Sequence, residues 1–136
     1  MRVEGFLDTN ILIYAASANQ TEPKKKTRAI ELLAFPFGTS TQVIQEFYAA
    51  STRKPAQPLT PAEALEWIER LERQPCVVVD PALIRMAIMI SQRYRIHYWD
   101  GAILAAAERL GAEIVYTEDL NHRQNYGSVR VINPFL

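Results

Sequence analysis

Val3-Glu4-Gly5-Phe6-Leu7-Asp8-Thr9-Asn10-Ile11-Leu12-Ile13-Tyr14-Ala15-Ala16 decides the fold, because its local preference changes halfway along. Val3 to Leu7 is short and β-prone. Asp8-Thr9-Asn10 supplies good helix N-cap types, whose side-chain oxygens satisfy the free N–H groups of a first turn, and Ile11 to Ala16 is a helical run. The segment is a strand-to-helix turn with an aspartate at the junction.

The same alternation continues along the chain. Thr21-Glu22-Pro23 opens a second helix, carrying Lys24, Lys25, Lys26 and Arg28 outward and Ala29, Leu32 and Leu33 inward. A turn is expected from Pro36 to Gly38. Ser40 to Arg53 then places Val43, Phe47 and Ala50 on one face of a third helix. Thr60-Pro61-Ala62-Glu63 joins an N-cap threonine, a proline at the first helical position and a capping-box glutamate, so a helix runs from there to about Arg73. The apolar run Cys76-Val77-Val78-Val79 reads as a buried strand over Val77 to Val79. Asp80-Pro81 then starts a helix that carries Ala87, Ile88 and Ile90 toward the core. Tyr98-Trp99-Asp100 leads into the apolar helix Gly101 to Leu110, stopped by Gly111 at the C′ position. Glu113 to Tyr116 and Val129 to Ile132 are the closing strands. Strands alternating with helices pair in parallel through crossovers, so the expected class is α/β: a three-layer α/β/α sandwich with a central, mostly parallel twisted sheet.

The chain has 136 residues and is 49% hydrophobic, which suits a single domain over residues 1–136 with one core. Lys54-Pro55-Ala56-Gln57-Pro58-Leu59-Thr60 is its linker-like segment. Lys+Arg and Asp+Glu number 15 each, so a polyanion must be held by a local basic patch and not by a whole-molecule field. Cys76 is the one cysteine and is expected to be an inert core thiol in a reducing compartment. No stretch reaches the ~18 apolar residues of a spanning helix, and Arg2-Val3-Glu4 is a poor signal-peptide start, so no membrane association and a cytoplasmic location are expected.

In parallel sheets the ligand crevice lies beyond the carboxyl ends of the strands. Asp8 directly follows the first strand, Asp119 lies just past Tyr116, and Asp100 heads a helix whose N-terminus faces the same rim. Taken singly these acids have plain explanations: Asp8 and Asp100 as helix caps, Asp119 as a loop residue. Glu46 is harder to dismiss, since it borders the apolar stripe of Val43, Phe47 and Ala50, where a carboxylate is partly desolvated. The topology gathers at least three of the acids at one edge, which makes a site the better joint reading. Carboxylates within ~4 to 6 Å raise one another's pKa, and a divalent cation offsets that repulsion. Oxygen ligands select Mg²⁺ or Mn²⁺ over zinc, and His97 and His122 lack metal-ligand spacing. A metal-bound water activated by a carboxylate suits in-line attack on a phosphodiester, so hydrolysis of a nucleic-acid backbone is the expected reaction.

Four segments carry a family resemblance: Phe6-Leu7-Asp8-Thr9-Asn10-Ile11-Leu12-Ile13-Tyr14, Ser40-Thr41-Gln42-Val43-Ile44-Gln45-Glu46-Phe47-Tyr48, Tyr98-Trp99-Asp100-Gly101-Ala102-Ile103 and Tyr116-Thr117-Glu118-Asp119-Leu120. In this order they resemble the PIN-domain ribonucleases, and among these the toxin subunits of VapBC-type toxin-antitoxin pairs, over essentially the whole chain. The resemblance implies that Asp8 and Asp100 are the principal metal ligands. Glu46 and Asp119 would complete the acidic cluster, with Thr9, Asn10 and Thr117 as supporting polar groups and Glu118 sharing or taking the role of Asp119. It also implies an RNA substrate, a homodimer, and an antitoxin whose C-terminal segment blocks the site. Relatives often carry alanine at the position of Gly101, where glycine costs up to ~1 kcal/mol of helix propensity.

Lys24 to Lys26, Arg28, Arg53, Lys54, Arg93, Arg95, His122 and Arg123 are the available basic contacts for such a substrate, and Arg123, close behind Asp119, is the first choice for a phosphate. Tyr14, Tyr48, Tyr98 and Trp99 are either base-stacking groups or core. The competing readings are a metal-dependent phosphoacceptor domain and a non-catalytic module whose acids grip a basic partner. A phosphoacceptor needs a lysine beyond a late strand, and none follows Lys54. Aspartate-nucleophile phosphatases want a second aspartate where Asn10 stands. No nucleophile elbow, phosphate loop or dinucleotide fingerprint is present.

Overall fold

The computed structural model describes residues 3–17, 22–53 and 57–136. In chain order the elements are β1 (Gly5–Leu7), α1 (Thr9–Ala16), α2 (Pro23–Leu33), β2 (Phe37–Ser40), α3 (Thr41–Ser51), α4 (Pro61–Leu71), β3 (Cys76–Val77), α5 (Pro81–Tyr94), α6 (Tyr98–Leu110), β4 (Ile114–Tyr116), β5 (Asn125–Tyr126) and β6 (Val129–Ile132). They build one sheet in the order β3-β2-β1-β4-β6-β5, parallel throughout except for the β5–β6 pair.

β1 is fully buried and lies between two parallel neighbours, with Phe6 opposite both Gly38 and Val115 and Leu7 opposite Tyr116. The helices fall into two packed groups: α6 lies on β2, β3, β4 and β6 and carries α5, whereas α1 joins α2 and α3, and α3 joins α4 and β2. Phe6, Leu7, Ile11, Leu12, Val43, Phe47, Leu104 and Val115 are fully buried between them. The expected α/β class with a mostly parallel, helix-flanked sheet is the one observed. Among the described residues no helix is long and apolar enough to cross a membrane.

Helix ends follow their sequence signals. Thr60 and Glu63 form the reciprocal capping box of α4, with Glu63 N–H donating to Thr60 Oγ1 at 3.1 Å and Thr60 N–H donating to Glu63 Oε1 at 2.9 Å. Asp80 caps α5 by accepting from Leu83 N–H at 2.8 Å and also pairs with Arg109 at 2.9 Å. Gly111 ends α6 at φ 81°, the left-handed region that glycine enters without a Cβ penalty.

Several expectations are corrected. The turn expected over Pro36 to Gly38 is instead the entry to β2, a strand buried along its whole length. Phe37 and Thr39 favour a strand, but Pro36 and Gly38 break the pattern, and tertiary packing decides: a Cβ on Gly38 would lie 1.9 Å from Leu110 Cδ2, so the glycine lets α6 press onto the strand. The Cys76 strand is only two residues long and lies at the sheet edge, so Val78 is 65% exposed and Cys76 only half-buried. Ile88 points away from the core, 42% exposed, while Ala87 is buried and Ile90 packs against the core. β5 is an additional strand, and its sequence signal is Gly127-Ser128 between Tyr126 and Val129, a two-residue hairpin turn with Gly127 at φ 65°. Arg2, Thr21, Lys54, Pro55 and Ala56 lie outside the described residues.

Candidate active site

Asp8 follows the last residue of β1 and is the N-cap of α1. Because Leu7 and Tyr116 are paired across β1 and β4, the next residues, Asp8 and Thr117, meet beyond the strand ends. Thr117 Oγ1 donates to Asp8 Oδ2 at 2.8 Å, and Thr9 N–H donates to Asp8 Oδ1 at 2.7 Å. The Thr117 hydroxyl also accepts from Asp119 N–H at 3.1 Å, so one buried threonine fixes two acids. Thr9 Oγ1 donates to Glu46 Oε1 at 2.9 Å, which brings α3 to the same place. Asn10 Nδ2 reaches Asp119 Oδ2 at 3.4 Å. Asp100 stands in the first turn of α6 and caps nothing, since the N-cap position belongs to His97.

Asp8, Glu46, Asp100 and Asp119 thus line one cleft of about 330 Å³, together with Thr9, Asn10, Gln42, Arg53 and Trp99. Burial is the largest influence on Asp8, which is 6% exposed, and pushes its carboxyl from 3.8 up to about 6. The hydrogen bonds from Thr117 and Thr9 oppose the rise, and the charges of Asp119 and Glu46 add to it. Asp100 is raised by loss of water and then by the Asp119 charge, with His97 opposing, and Asp119 is raised by partial desolvation and by Glu118. The acids therefore feel one another across the cleft.

A family model described as PIN domain matches residues 5–127. The chain belongs to the PIN-domain family. No curated protein matches it by sequence. Similar solved structures include a toxin-antitoxin complex from Klebsiella pneumoniae, at 18% identity and TM-score 0.71, covering 96% of this chain and 97% of that one. VapC20 of Mycobacterium tuberculosis, described as a sarcin-ricin loop cleaving toxin, aligns at 20% identity and TM-score 0.67 over 85% of this chain and 89% of its own. DNA-bound VapBC from Salmonella typhimurium aligns at 18% identity and TM-score 0.63, covering 95% and 96%.

Other side chains of this PIN domain are placed less centrally. Glu118 turns from the cleft: its carboxylate accepts from Tyr14 OH at 2.6 Å and from Lys25 Nζ at 3.0 Å, and Lys25 lies 4.9 Å above the Tyr14 ring. This contact docks α2 on α1 and the segment after β4. Lys26 donates to the Ser17 carbonyl, and Arg28 donates to the Pro134 carbonyl at 3.2 Å, so much of the basic run secures the fold. Arg123 is exposed at φ 67° and lines neither this cleft nor the one beside it, whereas Arg53 lines the acidic cleft. His122 Nδ1 accepts from Asn133 N–H at 2.9 Å, a structural role. Gln42 was not singled out from sequence. It sits one helical turn before Glu46 on the same face of α3, and its Nε2 donates to the Trp99 carbonyl at 3.3 Å, tying α3 to the first turn of α6.

The acidic groups facing the cleft offer oxygen, the ligand type a hard cation such as Mg²⁺ or Mn²⁺ takes, with no His or Cys among the described lining residues. Burial is the main cause that raises Asp8 and Asp100, and the like charges that add to it are what such a cation relieves. Among the described residues, however, no three acids stand close enough together to hold an ion in the present arrangement. The chemistry of the donors fits, and closing the cluster requires side-chain movement.

Thr117→Val keeps the shape of the side chain and removes the hydroxyl. It is expected to destabilise the fold by roughly 1–3 kcal/mol, the cost of leaving a buried carboxylate oxygen and an N–H without partners. The Thr117 hydrogen bond is the largest influence lowering Asp8, so the variant should also ionise Asp8 at higher pH. Chemical unfolding and an NMR titration of the carboxylates check the two effects; unchanged titration would remove Thr117 from this role.

Proposed function

We propose that this PIN domain is a Mg²⁺- or Mn²⁺-dependent endoribonuclease and the toxin of a type II toxin-antitoxin pair. The observation that carries the reading is the convergence of Asp8, Glu46, Asp100 and Asp119, from four separate parts of the chain, on one cleft. The folds it resembles include proteins described as toxin-antitoxin complexes and an RNA-cleaving toxin, which supports the reading.

In this proposal Asp8 and Asp100 hold the cation, with Glu46 and Asp119 completing the set. When bound, the cation supplies charge neutralisation and a water of lowered pKa for in-line attack on phosphorus. Thr9 orients Glu46, Thr117 holds Asp8 and the backbone of Asp119, and Asn10 steadies the Asp119 carboxylate. Trp99, 62% exposed at the cleft and edge-on to Tyr98 at 5.0 Å, offers a stacking face for a base, and Arg53 a cation for phosphate. Exposed Ile84, Ile88 and Met89 on α5 give a protein partner apolar surface, consistent with a proposed homodimer or antitoxin contact in the cytoplasm.

Incubating the purified protein and its Asp100→Asn variant with labelled RNA in Mn²⁺, Mg²⁺ or EDTA tests the proposal. Cleavage should need the dication and fall by roughly 10²–10⁴-fold in the variant, with an unchanged or higher melting temperature as like-charge repulsion is relieved. No cleavage by the wild-type protein in either metal would defeat the nuclease reading. The open spacing of the acids favours one alternative, a module gripping a basic partner without cutting. That reading expects partner binding that survives EDTA.

A further inference from the structure

A second cleft, of about 380 Å³, adjoins the first and shares Asp100 and Asp119 with it. Its remaining polar lining includes Arg95, His97 and Asn121, with the largely buried Tyr126 also lining it. The two clefts thus share two acids, and each has an arginine of its own: Arg53 in the first, and Arg95, with His97 also in the lining, in the second. A nucleic-acid strand has a phosphate at every nucleotide. One whose central phosphate lies over the acids must therefore carry neighbouring phosphates past that negative cluster in both directions, and each neighbour needs a positive group of its own.

Arg95 is built in an unusual way. It is the C-cap of α5 at φ 55° and ψ 47°, left-handed, where α6 uses Gly111 at φ 81° for the same purpose. An arginine in this conformation is strained where glycine is free. Among the described residues its guanidinium makes no hydrogen bond or ion pair, whereas the backbone N–H groups of Arg95 and Ile96 both donate to the Ser91 carbonyl. The turn spends conformational energy to present an unpaired cation at the rim of a cleft that ends on two of the four acids.

We propose that this second cleft binds the backbone phosphate flanking the cleavage point of single-stranded RNA, with Arg95 as its anchor and His97 beside it. The proposal rests on the nuclease reading for the polarity of the site, and it adds a direction: the strand runs from Arg53, over the acids, to the α5–α6 turn.

Fluorescence anisotropy of a labelled oligouridylate of about 12 nucleotides, within the span of single-strand sites, measures the contact. Wild-type protein, Arg95→Gly and Arg95→Lys are titrated in Ca²⁺, which takes oxygen ligands, over a range of KCl. Arg95→Gly should melt at the same temperature or higher, because strain is released, yet bind more weakly, with the slope of log K against log salt reduced by about 0.7 for one lost single-strand phosphate contact. Arg95→Lys should keep the slope. An unchanged slope in Arg95→Gly, with the wild-type protein cutting RNA in Mn²⁺, overturns the phosphate site and leaves the nuclease reading standing. A wild-type protein that neither binds the oligonucleotide nor cuts RNA overturns both. An equal loss of salt slope in the glycine and lysine variants would mean that the positive charge at this position makes no phosphate contact, and would also refute the proposal.

Discussion

Asp8→Asn is expected to abolish RNA cleavage and, without divalent cation, to flatten the dependence of stability on pH. The unfolded chain ionises Asp8 near 3.8, whereas in the folded protein burial moves that ionisation to about 6. Between those values the folded state binds the extra proton, so stability falls as pH rises through this window. Above pH 6 the whole cost persists, on the order of 3 kcal/mol for a shift of about two units. The asparagine variant carries no such ionisation. Its stability relative to the wild-type protein should therefore climb by about that amount between pH 4 and pH 7 in EDTA. A constant offset of roughly 1–3 kcal/mol runs the other way, because the Thr117 hydroxyl loses its carboxylate acceptor. Urea unfolding at a series of pH values separates slope from offset. Adding Mn²⁺ should then stabilise the wild-type protein at pH 7 and the variant much less. A difference that stays flat with pH would show that Asp8 is not a desolvated acid, and the electrostatic account of the cleft would go with it.

What the sequence reveals about this site depends on how local each cause is. Asp8 and Asp119 are legible because each lies just past a strand, whereas Thr117 is named only by the family resemblance; parallel pairing of β1 and β4 is what makes Asp8 and Thr117 neighbours. Glu46 is found because an acid beside Val43 and Phe47 conflicts with the apolar stripe, and the structure resolves the conflict with the Thr9 hydroxyl. Glu118 and Asp119 cannot be told apart in sequence. Their different placements, Asp119 in the cleft and Glu118 outside it, follow from Lys25 and Tyr14, which hold Glu118 from elements roughly a hundred positions away. The same applies to Arg123 and Arg95: proximity to Asp119 in the chain favoured the first, whereas the turn between α5 and α6 puts the second on the cleft that Asp119 shares. β2 is hidden in the sequence for a related reason: Pro36 and Gly38 signal a turn, and burial between β1 and β3 overrides that local signal.

Gly101 shows this limit at its clearest and carries the other large expected effect. By helix propensity alone, Gly101→Ala in α6 should stabilise the protein by up to ~1 kcal/mol. The structure reverses that sign. A Cβ at this position would lie 2.6 Å from the Ala87 carbonyl oxygen, 3.2 Å from Ser91 N and 3.1 Å from Ser91 Cβ, so the obstacle is mainly the backbone of α5, which cannot rotate aside as a side chain would. Accommodating the methyl forces α5 and α6 apart along the most extensive helix contact in the fold. Overpacking of this kind typically costs ~1–3 kcal/mol, and Gly101→Val should cost more than Gly101→Ala. The displacement also moves the residue next in the chain, Asp100, and the Trp99 carbonyl that holds Gln42. Cleavage per folded molecule should fall in Gly101→Ala, because a shift of about 1 Å at a reacting group can cost on the order of 10²-fold. Chemical unfolding with single-turnover cleavage measures both losses. An alanine variant that is more stable and fully active would mean that α5 and α6 do not approach so closely, and that Asp100 owes its position to something other than their packing.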